Sequence, residues 1–115
     1  MSSDAIDGET FRGLQDAAGA EFVDELVEAF LEDAPKMLTA LHASLAGGDE
    51  DAFRRTAHSL KSNSLTFGAQ GLAAIARELE LTAHAVVQRA DPGVLDALPA
   101  EYSRVEAALR ERRSA

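Results

Sequence analysis

Apolar residues recur every three or four positions along almost the whole chain, and no stretch sustains the alternation of a strand. A chain patterned in this way buries its apolar side by packing helix against helix. The longest stripe, Val23, Val27, Phe30, Ala34, Met37, Leu41 and Leu45, predicts a helix from about Ala20 to Ala46. Pro35 lies inside that stripe. It removes one backbone hydrogen bond and crowds the preceding turn, so a kink is expected there; two separate helices are the alternative, but the stripe stays in register across it. Gly47-Gly48 ends the helix, and Asp49 can cap the next. Phe53, Ala57, Leu60, Ser64 and Phe67 mark the buried side of a third helix, from about Glu50 to Thr66, with Gly68 as its structural turn. Leu72, Ile75, Ala76, Leu79, Ala83 and Val86 predict a fourth from about Ala69 to Gln88. Asp91-Pro92-Gly93 reads as a turn or a capped start. Leu95, Leu98, Tyr102, Val105 and Leu109 then mark a last helix, with a bend expected near Pro99. A short first helix, about Thr10 to Ala18, starts behind Asp7 and Glu9 and stops at Gly19.

Four long helices joined by short loops predict an all-α fold, an antiparallel up-down four-helix bundle with a short additional N-terminal helix. The 115 residues show no internal repeat and make one expected domain, 1–115.

Composition narrows the function. Acidic residues outnumber basic ones 20 to 11, a formal charge of -9, which argues against binding nucleic acid. With no cysteine there is no disulfide, thiolate zinc site or cysteine nucleophile. Neither a basic-then-apolar leader nor a run of roughly 20 apolar residues is present, so the expectation is a soluble cytoplasmic protein without membrane contact.

Chemistry can be sought on the third helix. At about 100° per residue from Phe53, the core stripe stays near zero, whereas Lys61 falls at about 80°, Leu65 at about 120°, His58 at about 140° and Ser62 at about 180°. These four share an outward face. Folding the fourth helix back about Gly68-Ala69 sets His58 opposite Glu80, Lys61 opposite Arg77, and Arg54 opposite His84. Glu80 then accepts from Nδ1–H of His58, which fixes the tautomer and leaves Nε2 as an outward nucleophile. Lys61 can screen the charge of an incoming phosphoryl group. The bland alternative for any exposed histidine is plain surface. His42 fits that description, while His84 and Arg77 lie near enough to Glu80 for an accessory role. An antiparallel second helix brings Phe30, Ala34 and Met37 near Leu65, Lys61 and His58. Leu65, Arg54, Phe30 and Ala34 are therefore docking candidates, although the stripe favours core for Phe30 and Met37.

The run from Ala57 to Ala69, with His58, Lys61, Ser62, Asn63, Ser64 and Gly68, resembles the phosphorylation motif of histidine-containing phosphotransfer (HPt) domains of multistep two-component signalling. That family has Lys three residues after the His, small residues next, Gly ten after the His, and often Glu or Gln 22 after it, here Glu80. Phe30 to Pro35 is similar to the family's second helix. One departure is Ser62, where the family most often has Gly; its hydroxyl could donate to a phosphoryl group. The resemblance implies a phosphoryl carrier rather than an enzyme. His58 would be phosphorylated on Nε2 by a receiver-domain phospho-aspartate or a hybrid kinase, and would pass the group to another receiver. It further implies no cofactor in this chain, the Mg²⁺ belonging to the receiver, and partners that are receiver domains and a sensor or hybrid histidine kinase; a compact acidic bundle with one docking face suggests a monomer. Two other readings compete: a docking bundle that carries no phosphate, and a ferritin-type metal bundle. The second needs Glu three residues before a His, and no such pair occurs.

Overall fold

The structure, a computed structural model, describes residues 5–113. Among these it has six α-helices, one 3-10 turn and no strand. They are α1 (Gly8–Ala18), α2 (Ala20–Ala46), α3 (Glu50–Thr66), α4 (Gln70–Leu81), α5 (Ala83–Arg89), the 3-10 turn Pro92–Leu95, and α6 (Leu98–Arg112).

Local chemistry sets most of the boundaries. Asp7 caps α1 by accepting from Thr10 N at 3.2 Å, and Asp49 caps α3 by accepting from Ala52 N at 3.1 Å. Helices α2 and α3 both end in Schellman turns. Asp49 N donates to Ser44 O and Gly48 N to Leu45 O; Ala69 N donates to Ser64 O and Gly68 N to Leu65 O. Gly48 and Gly68 take the left-handed position these turns require, at φ +69° and +80°. At Gly68 the demand is also steric. A Cβ there would stand 2.9 Å from Thr10 Cβ and 3.0 Å from Asp7 O, because Asp7 N donates to Gly68 O across the turn at 2.8 Å. Ile6, just before, is fully buried.

Helix α2 is one continuous helix of 27 residues through Pro35. Proline has no N–H to offer the carbonyl four residues back, that of Leu31. Tyr102 of α6 supplies the donor instead, its hydroxyl reaching Leu31 O at 3.3 Å.

Two expectations fail. The fourth predicted helix is divided at Thr82, whose N–H and Oγ1 both donate to Glu78 O, at 3.0 and 2.7 Å. That hydroxyl bond competes with regular helix hydrogen bonding, and Thr82 leaves the helical region at φ -104°, ψ 14°. The expected bend at Pro99 is absent. The helix begins at Leu98, so Pro99 occupies its first turn, where a missing N–H costs nothing. Leu95 belongs to the separate 3-10 turn, capped by Asp91 accepting from Gly93 N at 3.0 Å.

Helices α2, α3, α4 and α6 close a ring of packed neighbours, α3 on α2 and α4, α6 on α4 and α2, with α1 against α2 and α3. One core runs through all of them, from Val23, Val27 and Leu41 of α2 through Phe53 and Leu60 of α3 and Leu72 of α4 to Val105 and Leu109 of α6. No helix among the described residues is long and apolar enough to cross a membrane.

Candidate functional site

The short turn at residues 67–69 returns α4 antiparallel along α3 and so brings together side chains well apart in sequence. His58 Nδ1 lies 2.8 Å from Glu80 Oε2, and Lys61 Nζ lies 2.9 Å from Glu80 Oε1. One carboxylate thus holds an imidazole on one oxygen and an ammonium on the other. Lys61, and then His58, hold the Glu80 carboxyl below its ordinary pKa, against a smaller opposing effect of desolvation. Glu80 is therefore an anion and only an acceptor, so the hydrogen of this bond sits on Nδ1. In the neutral ring the free lone pair is then on Nε2. The His58 side chain is 57% exposed, while Glu80 and Lys61 are 20% and 24% exposed. The imidazole is open to solvent, and the carboxylate and ammonium beside it are more buried.

Ser62 is exposed on the next position of α3, and Leu65 is 52% exposed one turn further on. Arg77 is exposed on α4, one turn before Glu80. A shallow groove of about 480 Å³ between α2 and α3 is lined by Asp33, Lys36, Met37, Arg55 and Ser59 among others.

Phe30 and Ala34 do not belong to this surface. Phe30 is 4% exposed and packs its ring on Phe67 and Tyr102, at centroid distances of 5.4 and 6.4 Å; Ala34 is fully buried. The docking role expected of them is corrected to core, since a side chain held inside the fold meets no partner. Arg54 remains partly exposed, but its guanidinium is tied to Glu50 and Asp51 of its own helix. The register predicts His84 opposite Arg54 and one turn from Glu80. In the structure His84 Nδ1 lies 2.8 Å from Glu50 Oε1. Glu50, which no reading of the sequence singled out, thereby bridges Arg54 and His84, the two residues expected to face each other. The available signal was its place four residues before Arg54 on the same helix face. Among the described residues, no three His, Asp or Glu side chains gather as metal ligands would.

A sequence profile described as the Hpt domain matches residues 25–108. Among solved structures, the chain is similar to histidine-containing phosphotransfer protein B (HptB) from Pseudomonas aeruginosa PAO1, with 34% identity, a TM-score of 0.85, and coverage of 97% of this chain and 96% of that one. No curated protein sequence matches. A profile spanning most of the chain, a solved relative matched almost end to end, and an exposed imidazole braced by a carboxylate agree, and the chain belongs to the Hpt domain family.

Proposed function

We propose that the chain is a phosphorelay intermediate that carries a phosphoryl group on Nε2 of His58. The observation that carries this reading is the 2.8 Å contact between His58 Nδ1 and Glu80, which turns the unprotonated nitrogen outward. A receiver domain bearing a phospho-aspartate docks over α3. The Nε2 lone pair attacks phosphorus in line, the P–N bond forms, the acyl P–O bond breaks, and the aspartate leaves as carboxylate. No proton has to move, since the ring's one proton stays on Nδ1 against Glu80. Lys61 and the Ser62 hydroxyl lie within one turn of the new phosphoryl group and offset its charge. The reverse sequence passes the group to a second receiver.

Further elements of the proposal follow from family membership. The whole chain acts as one domain with the architecture of an antiparallel four-helix bundle, which the closed ring of α2, α3, α4 and α6 supports. It works as a cytoplasmic monomer, with Leu65 and Arg54 at the docking face and Arg77 beside it. It serves receiver domains and a sensor or hybrid kinase, and the receiver brings the Mg²⁺.

The test mixes the protein with a phosphorylated receiver domain and reads intact mass beside a His58→Gln control. The expected result is one acid-labile phosphoryl group, absent from the variant. A folded chain that gains none from any of a broad set of receivers would leave a docking bundle as the function.

A further inference from the structure

The arrangement at His58 occurs a second time. His84 of α5 places Nδ1 2.8 Å from Glu50 Oε1, and Arg54 binds the other oxygen, Glu50 Oε2. Again one carboxylate joins α3 to the chain returning alongside it, with an imidazole on one oxygen and a cation on the other. His84 and Arg54 hold the Glu50 carboxyl below its ordinary pKa. Glu50 is then an anionic acceptor, and the ring proton of His84 lies on Nδ1. The His84 side chain is 70% exposed, more open than His58. Fastening α5 to the bundle does not require this bond, because Ala83 and Val86 of α5 are already buried in the core.

We infer that His84 is a second phosphoryl-accepting imidazole, which takes the group on Nε2 from a phosphoramidate, the class of compound to which phosphohistidine belongs. The Nε2 lone pair forms the new P–N bond while the donor's P–N bond breaks. The donor nitrogen, already protonated, leaves with the electron pair as a neutral amine or imidazole. Arg54, one helical turn from Glu50, is the cation at hand for the incoming dianion. Glu50 and His58 are eight residues apart on α3, about 12 Å along the helix, beyond the Debye length at physiological salt. Both sites can therefore be charged at once. The inference is independent of receiver docking: a chain whose His58 never met a receiver would still have this site.

The experiment incubates the full chain with potassium phosphoramidate at mildly alkaline pH and maps acid-labile phosphate by mass spectrometry. All three histidines are read in the same tube, with exposed His42 of α2 as the internal reference. His84 is expected to label about tenfold faster than His42, the advantage of a fixed tautomer and a held ring. Glu50→Gln should bring its rate down to that of His42. Labelling of His84 at the His42 rate in the unaltered chain would overturn the inference, as would an unchanged rate in a Glu50→Gln chain with full helical circular dichroism. Fast labelling of His84 together with slow labelling of His58 would support the second site while counting against the function proposed for the first.

Discussion

Glu80 orients His58 and binds Lys61, and both contacts require it to be ionised. Its folded-state pKa lies below the ordinary carboxylate value because Lys61 and His58 favour the anion. The sign follows from linkage. A lowered folded pKa stabilises the protein above the ordinary carboxylate pKa, and that contribution is lost as pH falls through the folded value. Glu80→Gln should therefore melt below the unaltered protein at neutral pH, and the gap should close on acidification; melting curves from pH 7 down to pH 3 check this. A gap that widens in acid would show that Glu80 gains nothing from its two partners. The pair was legible in the sequence because His58 and Glu80 lie at equal distances from a short turn, so register alone brings them together. The partner of His84 was not legible. Past the break at Thr82 the facing position has moved one helical turn along α3, from Arg54 to Glu50.

At the scale of helices, periodicity located the stripes but could not locate every interruption. The stripe through Leu79, Ala83 and Val86 runs on across Thr82, so the break leaves no mark in the apolar pattern. Pro99 misled in the opposite sense: a proline signals a bend only where an N–H is needed, and the first turn does not need one. Pro35 shows how a helix accommodates a proline it cannot avoid. The Leu31 carbonyl it leaves free is met by Tyr102 from another helix. Tyr102→Phe should cost about 1 kcal/mol, the scale of one buried carbonyl left without a donor. In a Pro35→Ala background the new N–H serves Leu31, and the cost of Tyr102→Phe should fall toward zero. Denaturant melts of the four chains measure this coupling. Equal costs in both backgrounds would mean that the tyrosine acts through packing alone.

Across the whole molecule, the N-terminal segment closes the end of the bundle that holds the α3–α4 turn, with Asp7 N on Gly68 O and Ile6 buried. Gly68→Ala meets both a left-handed backbone and the Thr10 side chain, and should cost about 2 kcal/mol, a fall in Tm of roughly 10 °C. Gly48→Ala supplies the control, since its Cβ would enter open space and only the backbone term, about 1 kcal/mol, remains. Equal melting points for the two variants would show that the N-terminal contact adds nothing to the fold. This closure was not legible, because two apolar residues ahead of a cap carry no period to read. The exposure of His58 has a kinetic corollary. Under the proposed function, His58 offers receiver domains one seat, and a domain large enough to bring its own aspartate fills it. Donor and acceptor receivers must therefore take turns. A relay through His58 would follow ping-pong kinetics, and an excess of either partner in its unproductive form would slow the flux by occupancy alone.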